Sequence, residues 1–277
     1  MKTYLDSLDY VLNNGTVRKD RTGVGTIGVF GMQQRYNLST SFPAVTTKKL
    51  AFRACLSELL WFIEGSGDER RLAEILYGDK LEHRKTIWTD NALSPYWVSK
   101  AKYQGDLGRV YGVQWRDFNG TDQLTNLIDG INQDPYGRRH IITAWNPAEL
   151  DQMALPPCHC FAQFYVSADN KLSCQMYQRS ADYFLGVPFN IASYSILTHM
   201  IAQVCDLKVG EFVHVLGDAH IYLNHVEQVK EQLTRDPLPA PTLWLNPEVK
   251  DITKFTMEDV KLLNYQSHSA IKAPMAV

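Results

Sequence analysis

The sequence of 277 residues has few cysteines and no long apolar run, and both shortages exclude classes of protein. Its 5 cysteines are an odd number without CxxC spacing, which disfavours a disulfide framework and a structural zinc site. The longest apolar run, LLWFI at residues 59–63, is far below the roughly 18 residues that suggest a membrane span. The chain is therefore expected to be soluble and to depend on its own hydrophobic core.

The sequence also lacks an excess of charge of either sign. It has 28 Lys and Arg against 30 Asp and Glu, a net charge of −2, so no overall basic field attracts nucleic acid or anionic lipid. The opening residues MKTYLDSLDYVL mix charged and apolar side chains and lack the apolar core of a secretory signal. We expect a cytoplasmic protein whose anion sites, if any, are local.

Repeats, low-complexity tracts and Gly/Ser linkers are absent as well, so residues 1–277 are predicted to form one domain. Apolar spacing predicts helices over residues 2–14, with Asn14-Gly15 as the stop, over 51–64 and over 190–206. Runs rich in β-branched and aromatic residues predict strands at HIITAW, CFAQFYVSA, KLSCQMYQRS and EFVHVLGDAHIYL. The fold class is therefore α+β, with a large mixed β-sheet packed by helices.

Two sequence patterns resemble known binding motifs, but the residues around them do not fit those motifs. GVGTIG at residues 23–28 matches GxGxxG, but it leads into VFGMQQRYNL, which alternates like a strand, whereas a dinucleotide fold needs a helix there. His220 and His225 are five residues apart, off the i, i+4 spacing of a helical zinc pair. We expect separate hydrogen-bonding roles for the two histidines and no metal site.

Cys158 is the strongest candidate for chemistry. Two prolines present it rigidly at the entry to an apolar strand, and the next predicted strand ends in Gln178-Arg179-Ser180. A cysteine is more often an inert small hydrophobe, but a neighbouring guanidinium can depress a thiol pKa or hold an anion. A Cys158–His159 hydrolase dyad is an alternative, which adjacent positions on a strand disfavour because they point to opposite faces.

Two polar residues on predicted helices also stand out. Glu58 lies on an otherwise apolar helix, where a buried acid requires a partner or a shifted pKa. Asn190 precedes a helical pattern, so it can be an N-cap, a functional amide, or both.

The motifs together resemble the thymidylate synthase family, in that family's order, from Asp20 to Val277. They are DRTGVGT, ELLWF, GDLGRVYGVQWR, PPCH, QRSADYFLGVPFNIASY, GDAHIYLNH and IKAPMAV, and residues 45–66 also resemble bacteriophage-type members. The resemblance implies reductive methylation of dUMP by 5,10-methylenetetrahydrofolate, yielding dTMP and dihydrofolate without a metal. It also implies a homodimer, with a face of the sheet expected at the interface.

The resemblance assigns catalytic roles residue by residue. Cys158 matches the nucleophile that attacks pyrimidine C6, with Arg179 beside it, and Asn190 matches the amide at the base edge. The Asn190 amide can donate to O4 of the base and accept from its N3–H. This is the hydrogen-bonding pattern of uracil and the reverse of that of cytosine. The remaining matches are Glu58 for organising water in proton transfers, Tyr111 for removal of the C5 proton, and His159 and Gln178 as hydrogen-bonding members of the pocket.

Substrate and folate contacts follow in the same way. The resemblance implies a phosphate site of Arg21, Arg179 and Ser180, with Arg138 and Arg139 supplied by the other subunit, and a ribose site of His220 and Tyr222. It places the folate near Ile87, Trp88, Leu185, Gly186 and Phe189, its pterin at Asp182 and its polyglutamate tail at Lys48. The C-terminal residues, including Ala276 and Val277, should close over both ligands.

Departures from the family pattern affect the folate side. Ala51 replaces a His common in bacterial members, Thr89 replaces the Asp usual after the folate-site Trp, and Arg109 replaces the Pro of GDLGPVYG. They put the affinity for the folate tail and the details of the lid in doubt.

Alternatives to the synthase remain open. A dUMP hydroxymethylase would quench the same methylene intermediate with water and shares the cysteine; Trp88 and the C-terminal segment favour the synthase. A dCMP enzyme is expected to carry Asp at position 190. A non-catalytic RNA-binding protein finds no support in a net charge of −2.

Overall fold

The computed structural model describes residues 1–20, 22–78 and 84–275, and one mixed sheet of six strands lies at its centre. The strands are β1 (Thr16–Arg18), β2 (Thr26–Asn37), β3 (Ile141–Thr143), β4 (His159–Val166), β5 (Lys171–Asp182) and β6 (Lys208–Tyr222). Their order is β1-β2-β6-β5-β4-β3. Neighbouring strands are antiparallel except β5 and β6, which run parallel. A second, two-stranded sheet pairs β7 (Thr242–Leu245) with β8 (Val260–Leu263).

Helices surround this sheet. They are α1 (Lys2–Asn14), α2 (Phe52–Glu64), α3 (Glu69–Tyr77), α4 (Thr89–Ala92), α5 (Pro95–Val98), α6 (Gly112–Arg116), α7 (Gln123–Gln133), α8 (Gly186–Val204) and α9 (Val226–Leu233). Single 3₁₀ turns occupy Leu150–Gln152, Leu223–His225 and Ile252–Lys254. The α+β class and the mixed sheet are therefore confirmed.

The first predicted helix has the predicted bounds and buries Tyr4, Leu8 and Val11. Gly15 ends it with a φ of −72°, an extended conformation open to any residue. A Cβ at this position would lie 2.6 Å from the Val11 carbonyl oxygen and 2.7 Å from Ile27 Cγ2. Close packing of the chain, not a left-handed turn, therefore requires the glycine.

The two buried helices were predicted with different success. α2 begins one residue later than expected, is buried from Cys55 to Ile63, and ends at Gly65, whose φ of +78° suits glycine. α8 begins at Gly186, earlier than the predicted residue 190, and ends at Val204. Asn190 thus lies inside α8, and its interpretation as an N-cap is wrong.

The strand predictions are confirmed, with small shifts at their ends. β4 and β5 form a hairpin around the predicted turn at residues 168–170, and α8 then crosses over to the parallel strand β6. The segment after the GxGxxG match continues as β2, as expected for a chain without a dinucleotide-binding unit. In the described residues, no helix is long and apolar enough to cross a membrane.

One face of the sheet carries exposed apolar side chains, which we call the outer sheet face. Phe161 and Tyr165 alternate on β4 with buried residues, Ile141 pairs with Gln163 on the same face, and Tyr177 stacks on Phe161. Tyr165 is 64% exposed and Ile141 is 44% exposed. Aromatic residues in such a cluster are typical of surfaces that other proteins cover.

Candidate active site

A cavity of about 1260 Å³ opens where β4 begins and β5 and β6 end. Its lining includes Cys158, Arg179, Ser180, His220 and Tyr222. These residues are spread over positions 158 to 222, and the sheet brings them together because β5 is central and adjoins both β4 and β6. Part of the predicted nucleotide site is therefore assembled around the predicted nucleophile.

Arg179 holds the segment that presents Cys158. Its guanidinium donates from Nε to the Pro157 carbonyl and from Nη2 to the Pro156 carbonyl, each at 2.9 Å, and lies over the Trp145 ring. Its backbone N–H also donates to the Cys158 carbonyl at 2.8 Å. The two prolines have fixed φ angles, and Arg179 fixes the orientation of their carbonyls. Cys158 is consequently held in place from both sides.

The surroundings of Cys158 act on its thiol pKa in opposing directions. Burial raises its pKa, and the Arg179 charge and a hydrogen bond from Tyr111 oppose this shift without overcoming it. The expectation that Arg179 depresses the thiol pKa is confirmed for its own contribution, but burial outweighs it. Formation of a thiolate requires that a bound ligand or a proton acceptor change this balance.

Tyr111 contacts the nucleophile directly. Its hydroxyl oxygen accepts the Cys158 backbone N–H at 2.7 Å, while its ring stacks on Phe62 with centroids 4.9 Å apart. Its backbone has a φ of +27°, an uncommon conformation for a residue other than glycine. Strained conformations of this kind persist where surrounding packing enforces them, and they occur often at active sites.

Glu58 is buried in α2 and accepts a hydrogen bond of 2.7 Å from Trp88 Nε1. Burial raises its pKa to about 7, although the Trp88 bond alone would lower it. Trp88 in turn packs edge-on against Tyr111. The sequence predicted a partner or a shifted pKa for Glu58, and the structure has both. The shifted value suits proton transfer near neutrality.

A chain of buried hydrogen bonds runs behind the cavity. Gln178 Nε2 donates to Asn190 Oδ1 at 3.1 Å, and Asn190 Nδ2 lies 3.1 Å from His159 Nε2. His159 Nδ1 lies 3.2 Å from the Tyr194 hydroxyl. At the other end, His214 Nε2 lies 2.8 Å from Gln178 Oε1. We call these five residues the amide chain.

The amide chain argues against a Cys158–His159 dyad. Both ring nitrogens of His159 have partners within the amide chain, and burial lowers the pKa of His159 to about 3. The thiol of Cys158 is instead influenced by Arg179 and Tyr111. A hydrolase mechanism with His159 as the base for Cys158 therefore finds no support in the geometry.

His220 has a defined tautomer. Its Nδ1 lies 3.1 Å from Asp218 Oδ1, and since a carboxylate oxygen accepts, Nδ1 carries the proton. Nε2 is then left as an acceptor for a ligand hydroxyl. Asp218 also pairs with Arg18, and the Tyr222 ring packs edge-on against His220.

The predicted folate contacts are distributed over two segments. Trp88 and Ile87 precede α4, while Asp182, Leu185, Gly186 and Phe189 surround the start of α8. The Asp182 carboxylate accepts the N–H groups of Phe184 and Leu185 at 3.0 and 3.1 Å and thereby turns the chain from β5 into α8. A pterin-binding role for Asp182 stays a prediction.

Lys48 is buried, with its ammonium donating to the Phe184 carbonyl and lying 3.4 Å from the Phe184 ring centroid. Burial lowers its pKa to about 7, and the Asp182 charge opposes the shift. Its role at a folate tail also stays a prediction.

Thr89, one of the departures, has a structural partner. The Thr86 and Thr89 hydroxyls each donate to Glu69 Oε1 at 2.6 Å, and Glu69 is buried. An Asp at position 89 would place a second carboxylate against Glu69, which is unfavourable in a buried site. The hydroxyl is therefore the compatible group here, and it anchors the segment that carries Trp88.

The other departures lie away from the thiol. Arg109 forms ion pairs with Glu149 and Asp117, and Ala51 is exposed immediately before α2. Neither Arg109 nor Ala51 is among the residues that hold Cys158 in the described cavity.

Arg138 and Arg139 are exposed in the loop between α7 and β3, and the described lining of the cavity does not include them. Arg21, Ala276 and Val277 lie outside the described residues, although Asp20 and Thr22, on either side of Arg21, line the cavity. Among the described residues, no group of three or more His, Cys, Asp or Glu side chains could hold a metal ion.

Sequence reasoning missed Tyr194, His214, Asp218 and Glu69, which hold the predicted residues in place. The sequence signal that could have identified them is a polar residue within an apolar stretch, such as the His within EFVHVL on β6. Except for Asp218, which contacts His220 two residues away, their partners lie 17 or more residues away in sequence, so the pattern alone did not identify the contacts.

A comparison with protein families agrees with this arrangement. A family model described as thymidylate synthase matches residues 2–277, almost the whole chain.

Proposed function

The chain belongs to the thymidylate synthase family, and we propose that it converts dUMP to dTMP by reductive methylation with 5,10-methylenetetrahydrofolate. The family implies a methyltransferase. The observation that carries the finer proposal is the thiol of Cys158, held by Arg179 and Tyr111 in a large cavity.

Covalent catalysis by Cys158 makes a weak nucleophile reactive. Pyrimidine C5 does not attack carbon electrophiles readily, but addition of Cys158 Sγ to C6 moves an electron pair through C5 toward O4 and creates an enolate. C5 can then form the new carbon bond, and removal of the C5 proton supplies the electron pair that expels Sγ from C6 and restores the ring double bond. The positive charge of Arg179 favours the thiolate that this addition requires.

Asn190 would recognise the uracil edge and stabilise the developing charge on O4. Its amide uses one donor toward His159 and one acceptor site toward Gln178, so a second hydrogen and a second lone pair remain for the base. A preorganised donor at O4 lowers the barrier because it need not reorient as the charge develops.

Glu58 and Tyr111 would serve the proton transfers. Because burial raises the pKa of Glu58 to about 7, its carboxyl can release and regain a proton near neutral pH. Tyr111 contacts Cys158 and packs against Trp88, the partner of Glu58. The two groups thus share one contact network with the nucleophile.

The ribose and phosphate would occupy the part of the cavity lined by Ser180, Arg179, His220 and Tyr222. His220 offers Nε2 as an acceptor for the ribose 3′-hydroxyl, and a phosphate dianion suits the planar fork of Arg179. Arg21 is proposed to complete this site within the same chain.

We propose a homodimer in which a second copy covers the outer sheet face and supplies Arg138 and Arg139 to the phosphate. Both arginines are exposed and lie away from the cavity of their own chain, and the exposed aromatic side chains offer an apolar contact surface. A C₂ dimer makes this exchange reciprocal.

The folate site fits the residues present. The described lining of the cavity around Cys158 does not include the folate residues, which lie before α4 and around the start of α8. Trp88, Phe189 and Leu185 would pack on the ring system, with Ile87 and Gly186 beside them, Asp182 at the pterin and Lys48 toward the tail. When bound, methylenetetrahydrofolate supplies the one-carbon unit and the hydride.

The test combines dUMP and methylenetetrahydrofolate with the protein. We expect dihydrofolate absorbance to rise with the formation of dTMP, identified by mass, and Cys158→Ser to show neither. Hydroxymethyl-dUMP without dihydrofolate would identify the hydroxymethylase instead. Absence of any modified nucleotide would refute the proposal.

A further inference from the structure

His214 is one end of the amide chain, and no role follows for it from the proposed chemistry. It lies in the middle of β6, fully buried, with its ring 5.4 Å from that of Phe212. In the described part of the chain, its one hydrogen bond joins Nε2 to Gln178 Oε1 at 2.8 Å. A buried imidazole at an apolar strand position requires such a partner.

The hydrogen-bond direction along the amide chain can be read from the groups present. Gln178 Nε2 has two hydrogens, and they are donated to Asn190 Oδ1 and to the Ser180 carbonyl at 3.1 and 3.0 Å. Gln178 Oε1 must then accept, so His214 donates from Nε2. Burial lowers the pKa of His214 to about 3, which keeps its ring neutral with this single proton.

The other tautomer of His214 is disfavoured by its surroundings. Its Nδ1 is buried without a hydrogen-bond partner in the described part of the chain. A proton there would create a buried unsatisfied donor, whereas a bare nitrogen loses less. His214 is thus a donor of fixed direction.

We propose that His214 is a positioning residue that, through Gln178, holds the Asn190 amide in the orientation that selects uracil over cytosine. This inference rests on the proposed function. With Gln178 held by His214 and Ser180, its Nε2 faces Asn190 Oδ1. If the Asn190 amide were reversed, its NH₂ group would face the N–H of Gln178, and two donors would oppose each other. The orientation of Asn190 that suits cytosine is therefore excluded.

Three variants test this role by calorimetric titration with dUMP and with dCMP. His214→Leu removes the donor, His214→Gln keeps a donor near the position of Nε2, and His199→Leu removes a half-buried imidazole, with a buried Nε2, outside the amide chain. The measured quantity is the ratio of the dissociation constant for dCMP to that for dUMP.

We expect this ratio to fall at least fivefold in His214→Leu, to return within twofold of wild type in His214→Gln, and to be unchanged in His199→Leu. An unchanged ratio in folded His214→Leu overturns the positioning role while leaving the proposed function intact. A wild-type protein that does not bind dUMP instead overturns the proposed function.

A measurement on the wild-type protein covers the case in which His214→Leu does not fold. Nitrogen-15 NMR of labelled histidine distinguishes ring tautomers, and the His214 signal is assigned by its loss in His214→Gln. We expect the proton on Nε2. A proton on Nδ1 would contradict the direction of the amide chain and overturn the proposal.

Discussion

Replacement of Glu58 by glutamine should remove a large pH dependence of stability. Burial raises the pKa of Glu58 from 4.5 to about 7, which corresponds to about 3 kcal/mol. Between these two values the unfolded carboxyl is ionised while the folded one keeps its proton, so the unfolded state binds fewer protons and stability falls as pH rises. Below pH 4.5 this penalty is absent, and above about pH 7 it is complete.

Glutamine has the same shape as the protonated acid and no charge, and it can still accept from Trp88 Nε1. The free energy of unfolding of Glu58→Gln should therefore exceed that of wild type by about 3 kcal/mol more at pH 8 than at pH 4.5. Turnover should fall by roughly 10² to 10⁴, since the amide cannot exchange a proton. Stability and activity thus change in opposite directions.

Trp88→Phe provides a directional control. The Trp88 hydrogen bond lowers the pKa of Glu58, so its loss should raise that pKa further. The pH range over which the free energy of unfolding falls should then extend to higher pH.

Urea unfolding followed by tryptophan fluorescence, at one protein concentration and at intervals between pH 4.5 and 8, measures these differences. A difference between wild type and Glu58→Gln that stays constant over this range would refute the reasoning.

The remaining predictions concern the nucleotide site. Cys158→Ser should abolish turnover and leave dUMP affinity within roughly tenfold, because the phosphate and base contacts remain; more than about a hundredth of wild-type activity would remove Cys158 from its role. Asn190→Asp should weaken the preference for dUMP over dCMP, since a protonatable carboxyl can meet the cytosine edge; an unchanged ratio of kcat/KM would show that Asn190 does not read the base. Cys158→Ala and the double variant Arg138→Ala/Arg139→Ala should each be severely impaired, yet mixed dimers should recover up to about a quarter of wild-type activity. Mixed dimers that form and stay inactive would place the arginines in their own chain's site.

The spacing of apolar residues predicted the helices and strands whose positions depend on the local sequence. The stripe of α1, the apolar α2 and the strands β3 to β6 follow from periodicity, and their ends shift by a few residues. α8 begins earlier than its apolar pattern because the Asp182 carboxylate accepts two N–H groups and turns the chain directly into the helix. That contact depends on a side-chain orientation that periodicity does not contain.

Balances between opposing effects were harder to predict. The sequence placed Arg179 near Cys158, but the net pKa of the thiol depends on how deeply the fold buries it, and burial prevails. The amide chain was missed for a related reason. His214 and Tyr194 meet Gln178 and His159 only after β6 and α8 have packed, and no spacing in the sequence records those contacts.

The central position of β6 has a consequence for how the chain matures. β6 pairs with β2 on one side and with β5 on the other, so a nascent chain that ends before Lys208 has two open strand edges and no finished sheet. The β2–β6 pairing joins residues far apart in sequence, a high contact order that slows folding. Until β6 arrives, those edges can pair with other chains, and a chaperone that shields them during synthesis should raise the yield of native protein.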